Sequence, residues 1–290
     1  MVRRRFLTKK LKNEFKKKIF ILTPIDFLQK VHMKLILHHP QIALTLVKYL
    51  NNFDIINLME VNQAFTDCFQ PILDDRRKKL QKILDWYSKG VLCAIISADT
   101  LSIAVNIDMS YGDVDSIPPE IGHLTNVCGL FINNCRITSL PAEIGQLINL
   151  KKLSIYRNEL TSLPPEIGHL TNLKTLILDH NKLTSLPPEI GQLTNLEMIY
   201  LANNKLTRLS SEIGKLINLK HLDLYNNELI TLLPEIGLLT KLYSLALGNN
   251  NLTSLPTEIR KLTNLRRITI YNNPLINVPD EFTRFILPYE

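Results

Sequence analysis

The segment LPPEIGHLTNLKTLILDHNKLTS at residues 163–185 is followed at once by LPPEIGQLTNLEMIYLANNKLTR at residues 186–208. The two 23-residue segments agree at most positions, and the same pattern extends on both sides of them. A degenerate copy with Gly112 at the usual asparagine position precedes seven full copies, which start at residues 117, 140, 163, 186, 209, 232 and 255 and run to Asn277. A period of this length predicts an array in which each copy is one structural unit.

The leucines of each copy predict a short strand. Leu176 and Leu178 alternate with variable residues, which is the period-two pattern of a strand with one buried face. One copy cannot bury its leucines alone, so stacking into a parallel sheet is expected to stabilise the array. The recurrent asparagine after the strand is expected to bond backbone groups of the turn and of the next repeat; it stands at residues 158, 181, 204, 227, 250 and 273. Cys135 replaces it in the first full copy, so we expect the array to be weakest at its N-terminal end.

The remainder of each copy, LPPEIGxLTNL, predicts the connection that returns along the convex side. Proline at its second position cannot donate to a central strand and favours an extended entry. The glycine of EIG is expected to end a short helical turn in the left-handed conformation. Arg260 occupies that position in the last copy, so the last turn is expected to differ from the others.

This 23-residue pattern resembles the leucine-rich repeats of plant intracellular Ras-group proteins and of effectors secreted by intracellular bacteria. The resemblance implies an α/β leucine-rich-repeat solenoid with a curved parallel sheet over residues 104–277 and a C-terminal cap over residues 278–290. In function it implies recognition of another protein on the concave face and no catalysis. Bacterial effectors that fuse such repeats to a ubiquitin ligase carry a large domain after them, and we expect none here.

The variable strand positions are expected to face outward on the concave side. They form two rows, and four of the nine tyrosines lie in them. Exposed aromatic side chains and arginine are the residue types that anchor interfaces, although tyrosine also simply suits strands. The predicted partner-binding residues are Phe131, Tyr156, Arg157, Ile177, Asp179, Tyr200, Asp223 and Tyr225.

Catalytic and metal-binding chemistry is not indicated. Asp179 with His180, or Asp223 with His221, could suggest acid–base chemistry, but each pair lacks a nucleophile, and an open sheet excludes water poorly. His123 and His169 are expected to be plain surface residues. The cysteines lack metal-ligand spacing, so free thiols are expected, with a disulfide within one repeat left open. They lie at positions 68, 93, 128 and 135. We therefore expect no metal and no cofactor.

Residues 24–103 predict a helical domain, because their apolar residues recur at spacings of three and four. The segment ALTLVKYLNNFDIINLMEVNQAF at residues 43–65 resembles an F-box, the helical motif that binds the Skp1 adaptor of cullin ubiquitin ligases. The resemblance places the adaptor-binding positions, within about residues 40–70, at Leu46, Leu50, Ile55, Leu58, Val61 and Phe65. It departs from the family at two points, since His39-Pro40, offset by one residue, stands for the leading Leu-Pro, and Phe65 stands for the late tryptophan. The alternative is a helical cap over the N-terminal edge of the solenoid.

Charge is distributed unevenly along the chain. Residues 1–18 carry nine Lys/Arg and one Glu, whereas residues 117–290 carry sixteen Lys/Arg and fifteen Asp/Glu. A basic, flexible arm over residues 1–23 is therefore expected, and acidic lipid is its candidate contact. A near-neutral solenoid argues against nucleic-acid binding. No apolar run has the roughly 18 residues that span a bilayer, and the N-terminus lacks a cleavable signal, which favours a cytoplasmic, monomeric protein.

Two functional hypotheses follow. The first is an F-box/LRR-type substrate receptor that presents a captured protein to a cullin ubiquitin ligase. The near-identical repeats resemble those of a bacterial effector, which would enter the host cytosol without a cleaved signal. The second is a leucine-rich-repeat scaffold that binds a small GTPase or a kinase and has no role in ubiquitination.

Overall fold

The computed structural model describes residues 106–276 and residue 278, together with helical residues at positions 70, 74, 75, 78, 81, 83 and 85. The chain divides into two compact units. In the first unit, the residues that the structure describes are Gln70, Asp74, Asp75 and Lys78. The second contains the repeat region and the remaining helical residues, of which Ile83 is fully buried. The predicted basic arm and the F-box-like positions lie outside the described residues.

The repeat region forms one eight-stranded, parallel, open sheet whose strands follow chain order. Each strand has three residues and pairs in register with the strand 23 residues later. The predicted solenoid of seven full repeats and one degenerate repeat is thus confirmed. The strands are β1 Asn106–Asp108, β2 Gly129–Phe131, β3 Lys152–Ser154, β4 Thr175–Ile177, β5 Met198–Tyr200, β6 His221–Asp223, β7 Ser244–Ala246 and β8 Arg267–Thr269.

The convex side consists of short 3₁₀ helices of five residues each. The residue before each helix is extended, as at Pro164 with φ −70° and ψ 149°, so the predicted proline entry is confirmed. Where Ser210 replaces proline, its hydroxyl accepts a bond from the Glu212 N–H instead. The helices are η1 Pro119–His123, η2 Ala142–Gln146, η3 Pro165–His169, η4 Pro188–Gln192, η5 Ser211–Lys215, η6 Pro234–Leu238 and η7 Thr257–Lys261.

Leucine and isoleucine side chains fill the space between the sheet and the 3₁₀ helices. Leu176 and Leu178 from the strand side and Ile167 from η3 are all completely buried. Equivalent residues recur in every repeat, so the apolar layers stack into one continuous core. Burial of a leucine or isoleucine side chain contributes about 1.5–3 kcal/mol, and here that gain depends on the neighbouring repeat.

The recurrent asparagine bonds the turn of its own repeat, as expected, since the Asn204 Nδ2 donates to the Leu201 carbonyl at 3.0 Å. Its other bonds go to the preceding repeat rather than to the next one. The Asn204 Oδ1 accepts from the Leu183 N–H at 3.0 Å, and its Nδ2 donates to the Leu178 carbonyl at 3.0 Å. The same two bonds recur from Asn158 to Asn273. The side chain points back because the strand's carbonyl and the turn's N–H that lack partners both belong to the preceding repeat. We call this series the asparagine ladder.

Cys135 reproduces only half of this arrangement. Its thiol lies 3.5 Å from the Met109 carbonyl, which is the equivalent of the bond that Asn204 donates to Leu178. The amide oxygen of asparagine would accept from the Val114 N–H, and among the described residues no bond from that N–H reaches the Cys135 sulfur. The expected weakening at the N-terminal end therefore has a structural basis.

The prediction that glycine ends the helical turn in the left-handed conformation is wrong. No described glycine has positive φ. A Cβ at Gly168 would instead lie 2.8 Å from the Glu189 carbonyl oxygen in the next 3₁₀ helix. Glycine is thus required by the close approach of the next repeat.

The expectation that Arg260 alters the last turn is also wrong. Helix η7 has five residues like the others, and its Leu262 N–H donates to the Ile259 carbonyl at 3.1 Å. Within the described residues no further repeat follows η7, so nothing there demands a missing Cβ. Arginine therefore fits at this position.

Candidate protein-binding face

The predicted concave rows are present, because the parallel register aligns the equivalent residues of successive strands. The last residue of each strand forms the first row, in which Ile177 pairs with Tyr200 and Tyr200 with Asp223. The residue two positions later forms the second row, which includes Asp179, Ala202 and Tyr225. All eight predicted partner-binding residues lie on this side and keep partly accessible side chains. The rows run from residues 108 to 269 and from residues 110 to 271.

A third row borders the second, where the chain turns away from the strand in the left-handed conformation. Arg157 has φ 52° and His180 has φ 55°, and asparagine occupies most equivalent positions. Asparagine adopts this conformation more readily than most residues. Of this row only Arg157 was among the predicted contacts, although the recurrent Asn-Asn pairs are a signal that could have revealed the other members. Its asparagines are Asn134, Asn203, Asn226, Asn249 and Asn272.

Aromatic rings and cations contact one another at the N-terminal part of this face. The Tyr156 and His180 rings meet edge to face at 5.3 Å, and the Arg157 guanidinium lies 5.2 Å from the Tyr156 ring centre. The Lys152 ammonium lies 5.2 Å from the ring centre of Phe131. These contacts orient large side chains that a partner would bury.

A second aromatic group lies further along the sheet. The Tyr225 and Tyr271 ring centres are 6.2 Å apart, and Gly248 lies between them, where a Cβ would come within about 3.3 Å of both rings. The Asn249 amide donates to the Tyr225 hydroxyl at 2.7 Å. Desolvation and the neighbouring Tyr225 raise the pKa of Tyr271. Tyr271 was in the predicted row but not among the predicted contacts, and the pairing across Gly248 became evident only from the register.

Two aspartates lie near the middle of the face. The Asp179 Oδ1 accepts from the Ala202 N–H at 2.7 Å, and the Asp223 Oδ1 accepts from the Tyr225 N–H at 3.0 Å. Desolvation raises the pKa of Asp179 to about 6, with a smaller contribution from the Asp223 charge. Desolvation also raises the pKa of Asp223. Neither carboxylate forms an ion pair within the part of the chain that the structure describes.

The structure does not assemble acid–base pairs on this face. His180 contacts the Asn203 amide at 3.2 Å, and no hydrogen bond between His180 and Asp179 occurs in the described region. His123 and His169 are exposed on the convex side, as predicted. Residues 106–276 and the described helical positions contain no group of three His, Cys, Asp or Glu that could hold a metal ion.

Cys128 and Cys135 are free thiols rather than a disulfide. Burial raises the pKa of the Cys135 thiol above its usual value. Cys68 and Cys93 lie outside the described residues. In the described part of the chain, no helix has the length and hydropathy needed to cross a bilayer.

One predicted row position is filled differently from its neighbours. Ser154 is only 4% exposed, because its hydroxyl donates to the Asn133 Oδ1 at 2.7 Å. The same oxygen accepts from the Tyr156 N–H at 2.9 Å. The face therefore has a low, polar floor at β3 between the larger side chains of β2 and β4.

Comparison with known proteins agrees with this architecture. A model of a leucine-rich repeat region matches residues 143–210, and a model of two leucine-rich repeat copies matches residues 194–238. No curated protein matches the chain at a significant level.

Many solved structures are similar to this chain, including the following three. The internalin inlF from Listeria monocytogenes has 24% identity and a TM-score of 0.58, over 70% of this chain and 57% of that one. The LRR ectodomain of the membrane receptor kinase GASSHO1/SCHENGEN3 from Arabidopsis thaliana has 31% identity and a TM-score of 0.55, over 61% of this chain and 22% of that one. The PEPR1–AtPEP1 structure has 28% identity and a TM-score of 0.59, over 63% of this chain and 27% of that one.

The chain spans less than two thirds of the length of each of these three proteins. The likeness to the internalin concerns the fold alone. Both family models fall within the sheet and the 3₁₀ helices described above, and the repeat region has the fold of a leucine-rich-repeat solenoid.

Proposed function

We propose that the concave face binds a segment of another protein. The observation that carries this proposal is the alignment of partly accessible tyrosines on an open sheet, with Tyr200 in the first row and Tyr156 and Tyr225 in the second. Aromatic side chains in such positions anchor protein interfaces at low entropic cost. The proposed contacts also include Phe131, Arg157, Ile177, Asp179 and Asp223.

The fold class and two of the similar structures support a binding role. Leucine-rich-repeat proteins generally mediate protein–protein interaction, and the fold is typically a non-enzymatic scaffold. The receptor kinase ectodomain is in complex with Casparian strip integrity factor 2, and the PEPR1 structure contains AtPEP1. By analogy, the surface that spans the strands is the part of this chain proposed to engage a partner.

The test compares two double variants in a pull-down from eukaryotic lysate. Tyr200→Ala/Tyr225→Ala should lose the proteins that the unmodified chain recovers, while its circular dichroism and melting temperature stay close to the original. The matched control is Ile148→Ala/Ile217→Ala, which removes apolar side chains that are each 54% exposed outside the concave rows. Equal recovery with the tyrosine variant would exclude the concave face as the binding site.

We propose further that residues 40–70 bind Skp1, which would make the protein an F-box/LRR-type substrate receptor of effector type. The support is the F-box resemblance at Leu46, Leu50, Ile55, Leu58, Val61 and Phe65, followed in the chain by a recognition solenoid. Gel filtration of the purified chain with Skp1 at tens of micromolar should give a complex, and Leu50→Ala/Ile55→Ala should abolish it. If the unmodified chain forms no complex with Skp1, the F-box hypothesis is rejected. The remaining hypothesis is then a scaffold that binds a small GTPase or a kinase.

A further inference from the structure

Near the centre of the concave face, the second row has a short side chain at Ala202, two residues after the end of β5. Ala202 is 8% exposed, and its row neighbours are Asp179 on one side and Tyr225 on the other. Because adjacent strands lie about 4.8 Å apart, the Cα atoms of Asp179 and Tyr225 are about 10 Å from each other. The row therefore has a short side chain between a carboxylate and an aromatic ring.

The two tyrosines nearest to Ala202 point away from it. The Tyr200 hydroxyl lies 3.7 Å from the Met198 sulfur, so the Tyr200 side chain extends along β5 away from Ala202. Tyr225 extends the other way, towards Tyr271, and its ring borders Gly248. Neither tyrosine ring is therefore directed over Ala202.

No cation forms an ion pair with either of the two aspartates among the described residues. The Asp179 Oδ1 accepts from the Ala202 N–H and the Asp223 Oδ1 from the Tyr225 N–H, so both carboxylates are bonded to neutral backbone groups. The neighbouring Arg157 guanidinium instead lies 5.2 Å from the Tyr156 ring centre, and the His180 ring contacts the Asn203 amide. Partial desolvation, which also raises the pKa of both carboxyl groups, makes an unpaired carboxylate costly. A cation from a partner would supply the missing ion pair, and the partial desolvation would strengthen its attraction to the carboxylates.

We propose that the bound partner is an extended protein segment that places an arginine side chain over Ala202, between Asp179 and Tyr225 and within reach of Asp223. This inference rests on the proposed function of the concave face. A guanidinium suits the site better than an ammonium, because its planar fork pairs with carboxylate oxygens and stacks on tyrosine at the same time. The contact between Arg157 and Tyr156 shows such stacking on the same face.

The test uses a random dodecapeptide library displayed on phage and selected against the whole chain. Selected peptides should be enriched in arginine relative to the starting library. In synthetic versions of a selected peptide, replacing that arginine with glutamine should weaken binding at least about tenfold, and replacing it with lysine should weaken it by a smaller factor.

The protein variant that tests the mechanism is Asp179→Asn/Asp223→Asn. Asn133 occupies the position equivalent to Asp179 and accepts the corresponding backbone N–H, so the asparagine at residue 179 is expected to keep the fold. This variant should bind the arginine and glutamine peptides with nearly equal affinity.

The outcomes separate the two proposals. Arginine recognition would be overturned if the selected peptides were not enriched in arginine. It would also be overturned if replacing arginine with glutamine or lysine left the affinity unchanged. Both conclusions would hold even if Tyr200→Ala/Tyr225→Ala abolished binding. Selected peptides that bind that tyrosine variant as tightly as the unmodified chain would overturn both proposals. A selection that yields no peptide above the level of a blank surface would also contradict both.

Discussion

In four of the seven full repeats, asparagine performs two different tasks in neighbouring positions. Asn203 accommodates the left-handed turn, with φ 57°, whereas buried Asn204 supplies an acceptor and a donor to the preceding repeat. A third asparagine, Asn195, donates to the Thr171 carbonyl at the convex edge. The amide carries its acceptor and its donor on two separate atoms, so one short side chain can bond two backbone groups at once, which explains why asparagine recurs.

Replacement of Asn204 by alanine should lower the free energy of unfolding by about 1–3 kcal/mol, because the Leu183 N–H and the Leu178 carbonyl would lose their partner in a buried position. Urea denaturation followed by circular dichroism measures the change. Asn195→Ala is the control, since its exposed bond can be replaced by water and should cost less. Equal effects of the two substitutions would contradict the ladder's role.

Asp179 should make stability depend on pH. Its pKa of about 6 in the folded protein exceeds the ordinary value of 3.8, so the folded state favours the protonated form. The stabilisation linked to that proton is present below the ordinary pKa and is lost as the pH rises through about 6.

Asp179→Asn should therefore be more stable than the unmodified chain at pH 7.5, by about 1 kcal/mol after allowance for solvent screening at a half-buried site. The difference in the free energy of unfolding between the variant and the unmodified chain should become smaller as the pH falls from 6 towards 4. Urea midpoints of both proteins at pH 7.5, 6 and 4.5 measure it. A difference that does not vary with pH would show that ionisation of Asp179 is not the cause.

At the scale of the element, the repeat packs its 3₁₀ helix directly against the next one. The atoms nearest to a Cβ built at Gly168 are backbone and side-chain atoms of Glu189 and Gln192, all within 2.9 Å. The asparagines of the TNL segment join the same edges, as Asn172 does by donating to the Ile148 carbonyl at 2.8 Å. The convex side is thus held at a spacing that leaves no room for a methyl group.

Gly168→Ala should lower the free energy of unfolding by about 1–3 kcal/mol through overpacking between η3 and η4. The same position in the last repeat provides the matched control, because Arg260 already has a Cβ there. Arg260→Ala should change stability by no more than about 0.5 kcal/mol. Thermal unfolding of both variants gives the comparison, and a neutral Gly168→Ala would show that the repeats can move apart at no cost.

At the scale of the whole molecule, each repeat contacts only its neighbours, so stability is close to a sum of repeat and interface contributions. The asparagine ladder runs from repeat to repeat until Cys135, where the acceptor is missing. Local opening is therefore expected to be easiest where β1 meets β2, and hardest in the middle of the sheet.

Hydrogen–deuterium exchange should show this gradient. The amide of Met109, bonded to the Phe131 carbonyl, should exchange faster than that of Leu201, bonded to the Asp223 carbonyl. Cys135→Asn should restore the acceptor for the Val114 N–H, slow exchange around β1 and raise the free energy of unfolding by about 1 kcal/mol. Uniform exchange along the sheet, unaffected by this substitution, would refute the weak junction.

Much of the architecture follows from the sequence, because the 23-residue period repeats one local solution seven times. The parallel sheet, the extended entry at Pro164 and the aligned concave rows are all consequences of period and alternation. The direction of the Asn204 bonds, the reason for Gly168 and the tolerance of Arg260 do not follow. Each depends on which neighbouring repeat supplies the contact, and a linear pattern does not show that.

The features of the candidate site likewise fall into those that the sequence predicts and those that only the tertiary structure shows. Alternation alone determined that Tyr200 and Tyr225 face the concave side, because a residue's side of a strand depends only on its own position in the chain. Only the tertiary structure decided that Ala202 lies beside Asp179, which forms no ion pair among the described residues, and that Tyr271 contacts Tyr225 across Gly248. Those features depend on the register between strands and on desolvation, which arise when residues 23 positions apart are brought side by side.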